Sequence, residues 1–182
     1  MAGTGGEGYS GDGGAAVDAN LNYPADVVID SDGNIYIADA DNYRIRKIAP
    51  NGVITTVAGT GDFGYSGDGG VATSANLGVP TGLAIDSNGN LYYSDFRQHV
   101  IRKIATNGVI STVAGTGTAG NDGDGGAATS AKLDYPWGLS IDASNNLFIG
   151  GSHSIRKVDT DGVITTISVS YTHLTLATNR EV

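Results

Sequence analysis

The sequence predicts an all-β chain, a β-propeller fragment of three four-stranded blades with short helical turns in the inter-blade loops. Three observations lead there. The tetrad Gly11-Asp12-Gly13-Gly14 returns at Gly67 and at Gly123, and Pro24 returns at Pro80 and Pro136, each step being 56 residues; a strict period of this length marks a stacked array. Within each period, four short runs rich in Val, Ile, Thr and Tyr are separated by Asp-Gly and Asn-Gly dipeptides, which supply the positive φ angles of tight hairpins. The runs do not alternate cleanly between apolar and polar, as expected of a sheet covered on both faces by its neighbours.

The elements follow in order from this period. Residues 1–23 form the leading loop, and residues 24–58 form blade 1, with strands near 26–30, 35–39, 44–49 and 53–58. Residues 59–79 form the next loop, 80–114 blade 2, 115–135 a third loop and 136–168 blade 3. In the loops, Ala16, Ala19 and Leu21 recur as Ala72, Ala75 and Leu77 and as Ala128, Ala131 and Leu133. That spacing suits one helical turn tucked against the sheet edge. Successive glycines in each Gly-Asp-Gly-Gly segment point to a loop conformation that only glycine can hold, with the Asp bonding its own backbone. The segment Asp30-Ser31-Asp32-Gly33-Asn34 begins like a calcium loop, but no distal Glu follows and the third copy, Asp142-Ala143-Ser144-Asn145-Asn146, keeps the turn with two of the potential oxygen ligands gone, so a hairpin turn is expected.

Composition narrows the class. The chain has 182 residues, 40% of them hydrophobic, and no apolar stretch approaches the roughly 20 residues of a membrane span; membrane insertion is not expected. With no cysteine there is neither a disulfide framework nor a thiolate metal site. A net charge of −9 argues against a nucleic-acid partner, because phosphate contacts supply most non-specific affinity. The basic residues Arg44, Arg46, Lys47, Arg102, Lys103, Arg156 and Lys157 recur in the third strand of each blade. They are expected to pair with Asp residues such as Asp39 and Asp95, or to lie along solvent.

The string GYSGDGG, then small residues, Leu and Pro, then DSNGNLYYSD and IRKI, resembles the NHL repeat as it occurs in bacterial secreted and surface proteins. The resemblance covers roughly residues 2–168 in three copies. It implies a propeller that closes with six blades, so that three copies are half a ring, and an extracellular or cell-surface location. Met1 occupies the position of Val57 and Val113, so the chain is expected to begin inside a longer reading frame. The tail VSYTHLTLATNREV shares nothing with the repeat and resembles a translated sequencing-library adapter, so residues 169–182 are expected to be a non-native appendage. The alternative is a natural terminal strand.

Catalytic candidates are sparse. Related propellers include lactonases that use glutamate and an amidating lyase that needs several histidines. This chain has two glutamates, Glu7 in the leading loop and Glu181 in the tail, and its histidines are His99, His153 and His173. No Ser/His/Asp spacing stands out. No enzyme activity and no cofactor are expected of these residues; the weak calcium candidates are Asp12, Asp68 and Asp124.

Binding is therefore the expected role, at a rim where the copies differ. Asn42 and Tyr43 face Gln98 and His99 in the repeat alignment, Phe96 and Arg97 replace Ala40 and Asp41, and the third copy shortens this link to a segment carrying His153. Trp137, the only tryptophan, stands where Ala25 and Thr81 stand. Asn42, Tyr43, Phe96, Arg97, Gln98, His99, Trp137 and His153 are the candidate contacts for a protein or glycan partner. The alternatives are a propeller hydrolase or lyase whose catalytic blades lie elsewhere, and a structural spacer in a large surface protein. Terminal blades without neighbours are expected to be sticky, and two copies could pair as a homodimer that completes a six-bladed ring.

Overall fold

A computed structural model describes residues 2–167. It contains three four-stranded antiparallel sheets in simple meander order. Blade 1 comprises β1 (Pro24–Ile29), β2 (Ile35–Asp39), β3 (Arg44–Ile48) and β4 (Ile54–Ala58). Blade 2 comprises β5 (Pro80–Ile85), β6 (Leu91–Asp95), β7 (Val100–Ile104) and β8 (Ile110–Ala114). Blade 3 comprises β9 (Gly138–Ile141), β10 (Leu147–Gly150), β11 (Ile155–Val158) and β12 (Ile164–Thr166). The expected turns appear as 3-10 helices at Ala16–Asp18, Ala72–Ser74 and Ala128–Ser130, with Ala16, Ala72 and Ala128 buried. Two further 3-10 turns, Ala40–Asn42 and Phe96–Gln98, fill the β2–β3 and β6–β7 links.

The β1–β2 hairpin shows why the turns form. Asp30 accepts hydrogen bonds from the backbone N–H groups of Asp32 and Asn34, from the Asn34 amide and from the Tyr36 hydroxyl. Asp86 repeats the same set, and Asp142 repeats all but the tyrosine. These are Asx turns in which the carboxylate organises its own loop. The partial burial of Asp30 and Asp86 opposes ionisation, but those hydrogen bonds outweigh it and hold both carboxyls below the ordinary range. Burial beside Asp86 and Asp30 in turn pushes the Tyr92 and Tyr36 hydroxyls up to about 12.

The blades pack face to face. Between blades 1 and 2, Ala38, Ile45 and Ala58 meet Leu83, Leu91, Tyr93 and Ile104, with Ala72, Ala75 and Leu77 of the intervening loop between them. Between blades 2 and 3, Ile101 and Ala114 meet Leu147, Ile149, Val158 and Ile164, with Ala128, Ala131 and Leu133 in the same role. The strands that open each blade approach one another most closely. The Leu83 N–H donates to Asp26 Oδ2 at 2.8 Å, and a Cβ added at Gly82 would lie 2.2 Å from the Trp137 carbonyl oxygen. Blade 2 is thus buried on both faces, which is why its runs carry no period of two.

The Gly-rich loops have a definite job. The segment Gly13-Gly14 pairs with β4, the Gly13 N–H donating to the Ile54 carbonyl at 2.8 Å and the Ile54 N–H to the Gly14 carbonyl at 3.0 Å. The same ladder joins Gly69-Gly70 to Ile110 and Gly125-Gly126 to Ile164. Each loop covers the outer edge of the blade that follows it, blunting a strand edge that would otherwise offer unpaired amides. Gly11, Gly67 and Gly123 have φ near +90 to +100, and a Cβ there would lie 2.7 Å from Ala19, Ala75 and Ala131 respectively.

Candidate interaction rim

In an antiparallel meander the entry to the first strand and the link between the second and third lie at the same end of the sheet. Hydrogen bonds confirm the pairing: the Asp41 N–H donates to the Asn22 carbonyl, the Phe96 N–H to the Val79 carbonyl and the Ser152 N–H to the Asp134 carbonyl. All eight sequence-selected residues therefore lie on one rim, opposite the Asx turns.

The floor of this rim is polar and buried. Asp95, fully buried at the end of β6, accepts the N–H groups of Gly78 and Val79 at 2.8 and 3.1 Å. Burial pushes its carboxyl up to about 6, against those hydrogen bonds and the attraction of Arg102. Asp39 does the same in blade 1, accepting the Asn22 N–H at 2.7 Å and the Asn42 amide at 2.8 Å, and burial raises it as well. Gly151 replaces this Asp in blade 3, and Asp134 supplies a carboxylate from the loop instead, 2.9 Å from His153 Nδ1.

On this floor the junction of blades 2 and 3 carries an aromatic cluster. The Phe96 ring lies 5.1 Å from Tyr135 and 5.4 Å from Trp137, the latter edge to face, and His99 lies 4.5 Å from Tyr135. His99 adopts the left-handed conformation, and its Nδ1 accepts the Tyr135 N–H at 3.2 Å. The exposed Arg97 guanidinium lies 5.8 Å from the Phe96 ring centroid. Trp137 is 49% exposed and Tyr135 39%, so this is an open aromatic surface with a cation at its border. Gln98 is half-buried, near Gly78.

The other candidates are placed differently. Tyr43, the repeat equivalent of His99, packs edge to face on Phe63 at 5.4 Å, at the junction of blades 1 and 2. Asn42 spends its amide on the Gly8 carbonyl and Asp39. His153 is exposed beside Asp134. Tyr135 and Phe63 were not among the sequence-selected residues. Tyr135 recurs as Tyr23 ahead of the repeating proline, and an aromatic in a Gly-rich loop was the available signal for Phe63.

The recurrent arginines serve the scaffold. Arg46, Arg102 and Arg156 are buried, and each meets the Asp of its own Gly-Asp-Gly-Gly loop: Asp12 at 2.6 Å, Asp68 at 2.6 Å and Asp124 at 2.7 Å. The loop aspartates therefore bond across 32 to 34 residues rather than to their own loop backbone, and Asp12 also accepts the Tyr9 hydroxyl of its loop at 3.0 Å. Asp12 and Asp68 also accept the Thr56 and Thr112 N–H groups at 3.0 and 2.9 Å. The expected partner Asp39 lies 3.4 Å from Arg46, a secondary contact, and Asp95 forms no ion pair with Arg102. Partial burial of Asp12 and Asp68 opposes ionisation, but hydrogen bonds from Thr56, Arg46, Arg102 and Thr112 outweigh it and hold both carboxyls low. The three calcium candidates thus already have cationic partners. Among the described residues no group of three His, Cys, Asp or Glu converges, and no helix is long and apolar enough to cross a membrane.

Comparison with known proteins places these features in a family. The chain is 32% identical over 147 residues to NHL repeat-containing protein 2 from Bos taurus, covering 74% of this chain and 20% of that protein. It is 31% identical over 158 residues to Teneurin-4 from Homo sapiens, covering 75% of this chain and 6% of that protein. The chain thus spans a minor part of the length of either relative. Among solved structures, a Bacteroides thetaiotaomicron protein of unknown function superposes with a TM-score of 0.68 at 26% identity, over 79% of this chain and 37% of that one. Virginiamycin B lyase from Staphylococcus aureus (TM-score 0.54, 18% identity, 80% of this chain and 41% of that one) shares the fold. So does a gluconolactonase from Xanthomonas campestris (TM-score 0.57, 17% identity, 88% and 49%). The family model described as the Teneurin NHL domain matches three times, over residues 4–66, 60–121 and 116–179. Three matches end to end, on three stacked four-stranded blades, make this chain a member of the Teneurin NHL domain family.

Proposed function

We propose that the chain is a non-catalytic interaction module that binds a protein or glycan partner at the rim carrying Phe96, His99, Tyr135 and Trp137. The observation behind this is the open aromatic cluster. Trp137 and Tyr135 are exposed over the half-buried Phe96 and His99, bordered by Arg97 and the Asp134–His153 pair. Such surfaces supply large contact area at low entropic cost, whether the partner is a protein hot spot or a sugar ring. An extracellular or cell-surface setting suits this reading.

The test is binding to a printed glycan array and to a panel of purified extracellular domains, with the wild type and Phe96→Ala/Trp137→Ala compared on both. A retained ligand whose signal falls at least tenfold in the variant supports the rim. Ligands retained equally by both proteins, or none retained, count against it.

The second reading is that a longer protein is a hydrolase or lyase whose reacting residues lie on other blades. The lyase and gluconolactonase folds favour it. Glu7 is exposed on the leading loop, and the two histidines in the described region sit on the links of different blades, each engaged by the same loop, His99 with the Tyr135 N–H and His153 with Asp134. Turnover of lactone or streptogramin substrates by a longer protein containing this segment would decide for the enzyme.

A further inference from the structure

The two junctions between blades close differently at the rim of the Asx turns. Between blades 2 and 3, Asn145 of one turn clasps Ser87 of the other: the Ser87 N–H donates to Asn145 Oδ1 at 3.1 Å, and the Asn145 amide donates to Ser87 Oγ at 2.9 Å. The repeat equivalents between blades 1 and 2 are Gly89 and Ser31, and a glycine has no side chain to make that clasp. A cleft of about 710 Å³ lies there, walled by both turns. Its floor is apolar, made by the Tyr36 ring of blade 1 and by Leu91 and Ile104 of blade 2. Its walls carry Asp32, Lys47 and Asn88.

We propose that this cleft binds a neutral saccharide of one or two rings. The volume is that of a small-molecule site, and an apolar floor with a few polar groups around it is the usual make-up of one. The charges narrow the class. Both oxygens of Asp30 are spent on its own turn, whereas the Asp32 carboxylate accepts no hydrogen bond among the described residues. No carboxylate there pairs with Lys47 either, and its Nζ lies 5.6 Å from the Tyr36 ring centroid. A free carboxylate opposes an anion and a free ammonium opposes a cation, while hydroxyl groups donate to the first and accept from the second. The C–H face of a sugar ring would lie on Tyr36, Leu91 and Ile104, with its hydroxyl edge toward Asp32, Lys47 and Asn88. Asp32 is peculiar to the open junction, since its equivalents are Asn88 and Ser144. The cleft lies on the rim opposite the aromatic cluster and stands whether or not that cluster binds.

The experiment follows amide NMR spectra of the full 182-residue chain titrated with glucose, N-acetylglucosamine, maltose and cellobiose into the millimolar range, for the wild type, Gly89→Asn and Asp32→Ala. Gly89→Asn carries the blade 3 residue into the open junction. Asn145 has φ +61 and Gly89 φ +81, so the backbone there is of a kind an Asn already holds, and the new side chain should clasp Ser31 and shut the cleft. Asp32→Ala changes an exposed side chain and keeps the fold, so it carries the test should Gly89→Asn lose the dispersed spectrum. The proposal expects saturable shifts with at least one sugar, centred on the amides of Asp32, Asn88 and Thr106. Affinity should fall by about tenfold or more in Gly89→Asn and by about threefold or more in Asp32→Ala. No saturable shift with any of these sugars overturns it, as do shifts that both variants leave unchanged. Shifts confined to the amides of Phe96, His99 and Trp137 also overturn it, because they put the sugar on the aromatic rim instead.

Discussion

The buried guanidinium of Arg102 shows how single residues hold the scaffold. It is fully enclosed and neutralised by Asp68, whose side chain is 42% exposed, and it also donates to the Ser66 and Asn76 carbonyls. Removing the carboxylate strands the charge. Asp68→Ala should lower unfolding free energy by about 2 kcal/mol in urea titration, below the ~3–5 kcal/mol of a fully buried pair because Asp68 is half in water. The pH dependence follows from the same carboxylates. Asp12, Asp68, Asp30 and Asp86 have folded values below the unfolded value, so the native state binds fewer protons there, and their stabilisation is complete above about pH 4. It is lost as pH falls through the depressed values, and thermal midpoints should drop steeply below pH 4. Asp95 works in the opposite sense: its value of about 6 means that its contribution declines as pH rises from about 4 to 6. Asp95→Asn should flatten the midpoint over that interval.

At the scale of elements, the Gly-Asp-Gly-Gly segment is an edge strand cover whose first glycine is fixed by contact and whose second is fixed by torsion. Gly67 has φ +90 and no room for a Cβ, whereas Gly69 has φ +81 and open space around it. Gly69→Ala should cost about 1 kcal/mol for the left-handed backbone alone. Gly67→Ala should cost at least ~1 kcal/mol more, since the Cβ meets Ala75 backbone, and denaturant midpoints of the two variants measure the difference. The strands themselves were legible from local chemistry. Asp-Gly and Asn-Gly turns and β-branched runs located β1 to β4 to within a residue or two, because hairpin geometry is set by neighbours in sequence. The loop aspartates were not legible in the same way. Their arginine partners lie 32 to 34 residues away, a distance that only the folded blade closes. The aromatic cluster was half visible: Phe96, His99 and Trp137 stood out as departures between copies, while Tyr135 was hidden because Tyr23 repeats it.

For the whole molecule, position in the stack matters more than residue type. Leu83 and Val27 are equivalent in the repeat, yet one is covered by a blade and the other is not. Leu83→Ala should cost about 2–5 kcal/mol by leaving a cavity between blades. In dilute monomer, Val27→Ala should stay within roughly 0.5 kcal/mol. The consequence is a division of labour: faces supply stability through neighbours, edges are sealed by Gly-rich loops, and the rim at the junction of blades 2 and 3 carries the aromatic cluster that we propose as the binding surface. Three equivalent sheets stacked face on face are the premise of all of it. Residue-resolved amide hydrogen exchange on the dilute chain tests that premise most directly. Amides of β5–β8 should exchange more slowly than their repeat equivalents in both β1–β4 and β9–β12, because among the described residues only the middle blade has a blade packed on both faces. Equal protection across the three sets, or fastest exchange in the middle one, would contradict it.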